Sequence, residues 1–170
     1  MNASLKFIKS ASGSAVSSLE VTNCFSSDYD VYEVTANFSK VTTNSNWARL
    51  RFIDSGGSVI ADSEYDFASL SMFDYTGFGQ EKGTAQTAIG RVAYMKTTGA
   101  GGGVKFTIYN PYDSGSYTFT NFQSSAGTTS QLWSSKVNGV HKVQEQITGL
   151  SIIGDSYTFD NIEINVFGVK

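Results

Sequence analysis

The chain has 170 residues, a length that suits one domain with its own hydrophobic core. Charged residues make up only 16% and the net charge is −3, without any basic run, so we expect no nucleic-acid partner. The single cysteine excludes an intrachain disulfide, and no apolar stretch resembles a signal peptide or a membrane span. We therefore expect one domain over residues 1–170, made in the cytoplasm and not inserted into a membrane.

Apolar and polar residues alternate in many short segments, which is the period of half-buried strands. In chain order, strands are predicted at Leu5–Lys9, Ser17–Thr22, Tyr29–Phe38, Trp47–Asp54, Gly57–Ala61, Ala88–Met95, Val104–Tyr109, Ser116–Phe122, Ser130–Val137, His141–Ile147, Gly149–Ile153 and within Ser156–Lys170. Turns are predicted at Asp54–Gly57, Thr97–Gly103, Asn110–Gly115 and Val137–Gly139. This pattern predicts an all-β protein, an antiparallel sandwich or barrel.

The alternation also predicts which side chains face the core. The residues expected inside are Val31, Leu50, Phe52, Val104, Phe106, Ile108, Tyr117, Phe119, Ile162 and Ile164.

The segment Glu64–Ala88 interrupts this rhythm with glycine and polar residues. We expect a strand or short helical turn followed by a long excursion, and excursions of that length often have a function. Between Ser71 and Thr87 it carries Phe73, Tyr75 and Phe78, which a solvated loop does not need. These three aromatic residues are candidates for a contact with a partner.

Titratable residues form no recognisable catalytic or metal motif. His141 is the only histidine and is expected at the surface or on an edge strand, while Cys24 is expected to be a small buried residue. One histidine and one cysteine cannot build a zinc site alone. Asp62, Glu64 and Asp66 alternate along a segment typical of a solvated strand face. We expect no enzymatic activity, no cofactor and no metal.

Three aromatic residues near segment ends allow two interpretations. Trp47, Tyr112 and Trp133 can be core or interface residues, or they can stack on the sugar rings of a glycan.

The last strand poses a similar question. Ile162, Ile164 and Val166 share one face, whereas Phe167 and Val169 fall on the other. Either a neighbouring subunit covers Phe167 and Val169, or Gly168 marks a bulge that returns them to the core.

Three blocks of the sequence resemble the β-sandwich virion proteins of tailed phages, of the marine and cyanobacterial type. They are "FSSDYDVYEVTANF" with "LRFIDSGGSVIADSEY", then "GGGVKFTIYNPYDSGSYTFTNFQSS", and the ending "ITGLSIIGDSYTFDNIEINVFGVK". The ending closes with an aromatic-Gly-Val-Lys tetrad, Phe167 to Lys170, where the family more often has tyrosine first. The segment Met72–Gln86 has no counterpart in this pattern.

The resemblance implies a jelly-roll-like β-sandwich of about 8–11 strands on a phage particle. A capsid decoration or knob protein is the expected function, and a tail-associated receptor-binding or carbohydrate-binding module is the alternative. The expected partners are other virion proteins, either the major capsid protein or tail proteins, and further copies of the chain in a homotrimer. A host-surface glycan is the partner of the alternative function. The resemblance brings no catalytic residues.

Overall fold

A computed structural model describes residues 4–39, 41, 46–128 and 130–170. These residues form twelve β-strands and no helix. The strands are β1 (Leu5–Val16), β2 (Ser18–Val21), β3 (Val31–Phe38), β4 (Asn46–Asp54), β5 (Tyr65–Phe73), β6 (Gly77–Gln86), β7 (Ile89–Met95), β8 (Gly99–Tyr109), β9 (Thr118–Thr128), β10 (Leu132–His141), β11 (Ile147–Gly154) and β12 (Phe159–Val169). All paired strands are antiparallel, so the prediction of an antiparallel all-β fold is confirmed.

The strands build a large and a small sheet. The large sheet has the order β1-β12-β3-β8-β9-β10-β5-β6, and the small sheet has the order β2-β11-β4-β7. Without β5, β6, β9 and β10, the order is β1-β12-β3-β8 against β2-β11-β4-β7. That is the order of an eight-stranded jelly roll, in which the chain alternates between two sheets. The two remaining strand pairs extend one sheet beyond the jelly roll.

The hydrophobic core lies between the two sheets and follows the alternation of the strands. In β3, for example, Tyr32, Val34, Ala36 and Phe38 are buried, whereas the residues between them are half-buried or exposed. Seven of the predicted core residues are buried, namely Leu50, Phe52, Val104, Phe106, Ile108, Ile162 and Ile164.

The core prediction is wrong for three residues. Val31 is half-buried, and Tyr117 and Phe119 are 42% and 48% exposed. The inner face of β9 instead carries three small hydroxyl side chains beside Phe122 and Ala126. Two of the hydroxyls are buried with partners: Thr120 Oγ1 donates to the Thr107 carbonyl over 3.0 Å, and Ser124 Oγ lies 2.8 Å from Ser135 Oγ. The third, of Thr118, has no partner among the described residues. Hydrophobicity alone therefore assigned the wrong face of this strand.

Two predicted turns fall largely within strands. Val137–Gly139 is part of β10, and all but the first two residues of the predicted turn Thr97–Gly103 belong to β8. Gly139 is buried, and a Cβ there would lie 2.8 Å from two carbon atoms of the Ile89 side chain. The glycine thus permits close packing of the sheets rather than a reversal of the chain. Conversely, the predicted strand His141–Ile147 is not one strand: His141 ends β10, Ile147 begins β11, and residues 142–146 form the loop between them. Gly57–Ala61 contributes only the bridge from Val59 to Ile53.

The predicted excursion is also a different element. Its residues form the hairpin of β5 and β6, and β6 is an edge strand of the large sheet. Every residue of β6 is exposed or half-buried. An edge strand with one solvated side can be rich in glycine, lysine and glutamate, which explains why the segment lacks a strand signal.

Candidate functional site

A continuous row of apolar side chains crosses the outer face of the large sheet. The pairing of six neighbouring strands places these residues directly opposite one another, in the order Leu5, Val169, Val31, Tyr109, Phe119 and Val140. We call this set the outer-face row. With strands about 4.8 Å apart, five steps give it a length of about 24 Å.

The outer-face row is open to solvent at several points. Leu5 is 56% and Phe119 is 48% exposed. Next to it, Phe7 (55% exposed) and Phe167 pair across β1 and β12 with ring centroids 5.8 Å apart. Outward positions on a solvated antiparallel sheet are usually polar, so an apolar row that crosses six strands is a candidate contact surface.

The end of β12 contributes Val169 to the outer-face row and Phe167 to the apolar surface beside it. Gly168 pairs regularly with Lys6 and Tyr32, so β12 has no bulge there, and the register shift lies in β1 between Phe7 and Lys9. Phe167 and Val169 therefore face outward and are half-buried. The bulge interpretation is thus wrong.

Gly168 faces inward beneath the ring of Tyr29, whose Cγ would be 2.6 Å from a Cβ at this position. Lys170 Nζ lies 5.3 Å from the centroid of the same ring. The Gly and Lys of the C-terminal tetrad thus hold Tyr29, while Phe167 and Val169 lie on the opposite face.

The three aromatic residues of the hairpin lie in different environments. Phe78 is 77% exposed and pairs with Met72 across the hairpin, and Tyr75 is 52% exposed. Phe73 is half-buried against the Tyr75 ring. The Tyr75 hydroxyl accepts a hydrogen bond from Trp133 Nε1 over 3.1 Å. Phe78 is therefore the ring of this group that is most available to a partner.

The three candidate glycan-stacking residues do not form one platform. Trp133 is buried, and its ring contacts Tyr94, which in turn contacts Trp47. Tyr112 is half-buried and lines a small cleft with Tyr29 elsewhere. Trp47 lines a separate pocket together with Arg49, Glu81 and Arg91.

His141 is fully buried at the end of β10, so the prediction of a surface or edge-strand histidine is wrong. Its ring packs on Tyr65 with a centroid distance of 5.1 Å. Nε2 lies 3.1 Å from Glu64 Oε2 and 3.5 Å from Glu145 Oε1. Glu64 is 77 residues from the histidine in sequence, and Glu145 follows it by four residues in a loop that was predicted to be a strand, so the strand pattern did not reveal the cluster.

Three donor atoms of this cluster lie within 4.8 Å of one another, a distance that a metal ion can bridge. A metal on Nε2 would however require the proton on Nδ1, which is buried and has no hydrogen-bond partner among the described residues. Metal-binding histidines almost always donate that proton to an acceptor. The cluster therefore fits a hydrogen-bonded histidine better than a metal ligand.

Cys24 is buried, and its Sγ donates to the Val21 carbonyl over 3.2 Å. Burial raises the pKa of the Cys24 thiol to about 12. At neutral pH the side chain is therefore a protonated thiol and a poor nucleophile.

No protein-family model matches the sequence, and no curated protein matches it either. The described ranges contain no helix that could cross a membrane.

Proposed function

We propose that this protein is a structural protein of a phage particle, and more specifically a capsid decoration protein. It docks on neighbouring virion proteins through the outer-face row. The observation that carries the proposal is the register of the row, because it aligns apolar side chains from six strands on one solvent-facing surface. The resemblance of the sequence to virion sandwich proteins supports the same function. The proposal includes no catalytic role.

Burial of the exposed apolar side chains against a partner would supply free energy for docking. Burying a large apolar side chain is worth roughly 1.5–3 kcal/mol at full burial. Leu5, Phe7 and Phe119 are each about half exposed, so a partner would bury the remaining half of each. In a symmetric assembly this gain recurs at every interface, which favours a homotrimer or a regular array on a shell.

The test is incorporation into particles of the phage that encodes the chain. Phe119→Asp places a charge in the outer-face row, and we expect at least a tenfold loss of the protein from purified particles, measured by gel densitometry. Gln123→Asp is the matched control, because it adds the same charge on the outer face of the same strand but outside the row. Equal incorporation of both variants would overturn the proposal.

The number of copies decides where the protein sits. Hundreds of copies per particle support a capsid decoration protein. A dozen or fewer support the tail-associated module and contradict the decoration role.

A further inference from the structure

A cavity of about 200 Å³ opens between β7, an edge of the small sheet, and β6, an edge of the large sheet. Phe67 is buried at this cavity. Its other principal lining residues are Trp47, Arg49, Glu81, Gln86 and Arg91. Two aromatic rings, two guanidinium groups, one carboxylate and the amides of Asn46 and Gln86 therefore converge on a single small space.

The backbone of β7 is distorted to bring Arg91 to this cavity. Ala48 pairs with Ala93 and Leu50 with Ile89, so three residues of β7 stand opposite Arg49 alone. Arg91 lies within this bulge with φ at +63°, a conformation that non-glycine residues seldom adopt. Bulges redirect side chains, and strained backbone of this kind is concentrated at functional sites.

The redirected guanidinium group contacts two walls of the cavity. Its Cζ lies 4.5 Å from the centroid of the Trp47 ring, and its Nη2 forms an ion pair with Glu81. On the other side, Arg49 Nη2 forms an ion pair with Asp155 over 2.5 Å. Asp155 does not itself line the cavity, but with it both arginines are neutralised as ion pairs, so the four charges together give little net attraction for an anion or a cation.

Both arginines keep hydrogen-bonding capacity. Each ion pair engages only Nη2, and the Nε and Nη1 groups of Arg49 and Arg91 have no acceptor among the described residues. An arginine fork of this kind presents parallel N–H groups to neighbouring oxygen atoms.

The geometry points to a binding site for one pyranose residue of a neutral glycan. The volume equals about seven water molecules at roughly 30 Å³ each, which suits a single sugar ring. The guanidinium forks and Glu81 can bind vicinal hydroxyl groups, and Trp47 and Phe67 provide apolar surface for the C–H groups of the ring. Because the charges balance, a neutral sugar fits better than an acidic one. The site shares no residue with the outer-face row, so a test of sugar binding is independent of a test of the proposed docking function.

Saturation-transfer NMR on the purified protein tests this inference. The probes are the methyl glycosides of glucose, galactose, mannose and N-acetylglucosamine, with the methyl glycoside of sialic acid as the acidic comparison. We expect at least one neutral glycoside to bind with a Kd in about the millimolar range, as is reasonable for so small a ligand.

Variants locate the binding. Arg91→Lys retains the charge but loses the fork, and should weaken binding about tenfold. Gln86→Ala changes an exposed residue of the rim and should weaken it less, which provides a second readout if Arg91→Lys folds poorly. Arg51→Lys is the matched control, because Arg51 lies on β4 but donates to the Thr87 carbonyl outside the cavity, and it should bind like the wild type. The inference is overturned if no neutral glycoside binds, if only the sialic acid glycoside binds, or if Gln86→Ala and Arg91→Lys both retain wild-type affinity.

Discussion

At the scale of single residues, the fold shifts the pKa of the Glu145 carboxyl group. Burial raises the pKa of Glu145 above its ordinary value of 4.5, and the nearby carboxylates of Glu64, Asp54 and Asp62 raise it further, whereas the electrostatic interaction with His141 lowers it. The folded protein therefore holds the proton of Glu145 more tightly than the unfolded chain does. The ionised carboxylate destabilises the fold at neutral pH, and this cost disappears as the pH falls through the raised pKa towards 4.5.

We therefore expect Glu145→Gln to raise the Tm at pH 7, because glutamine carries no charge into the cluster. The difference from wild type should shrink as the pH is lowered to about 4, where Glu145 is protonated in both states. Thermal melts across this pH range provide the measurement. Glu163→Gln, at an exposed position on β12, is the control and should leave the Tm unchanged. A lower Tm for Glu145→Gln at pH 7 would show that its charge stabilises the fold.

At the scale of elements, the β5–β6 hairpin supplies Tyr65 and Phe67 to the core, whereas its distal end extends beyond the strands of the jelly roll. β10 pairs with β9 along its whole length, so the end of the hairpin can be removed without leaving β10 unpaired on both sides. We expect a variant in which Asn-Gly replaces residues 71–79, joining the paired residues Leu70 and Gln80, to keep its β-sheet circular dichroism and a cooperative melt. It should lose any partner contact made by Phe78.

Phe78→Ser separates the two effects of this deletion. The ring is largely exposed, so its loss should change the free energy of unfolding by less than about 0.5 kcal/mol. If the deletion unfolds the domain while Phe78→Ser does not, the hairpin is part of the cooperative fold.

The same elements show what a sequence can reveal. Strands with one apolar and one solvated face, such as β3 and β12, were predictable because their pattern has a period of two. The hairpin was not, because its outer strand touches no core and carries no such pattern. The inner face of β9 was misassigned because hydroxyl partners from other strands permit its burial. The His141 cluster and the cavity at Arg91 depend on contacts between residues distant in sequence and on a backbone bulge, neither of which a local pattern encodes.

At the scale of the whole molecule, two adjacent residues of β12 have different roles: Gly168 packs in the core, and Phe167 lies on the outer surface. Gly168 lies under Tyr29 on the inner face, and Phe167 lies against Phe7 on the outer face. A methyl group at Gly168 would overlap the buried ring, so Gly168→Ala should cost about 1–3 kcal/mol of stability. Phe167→Asp should spare the fold, because Ile164 and Val166 still fill the core.

The two variants therefore make a matched pair for the assembly. We expect the wild type to be a homotrimer in light scattering, and Phe167→Asp to be a folded monomer with an unchanged circular dichroism spectrum, because a charge at this position opposes burial against a neighbour. Gly168→Ala should lower the Tm and yet still assemble below it, since its outer face is intact. A wild-type protein that is monomeric at all concentrations would contradict the trimer. Unfolding by Phe167→Asp would mean that the Phe7–Phe167 contact belongs to the fold, and that the docking surface is limited to the outer-face row beyond β12.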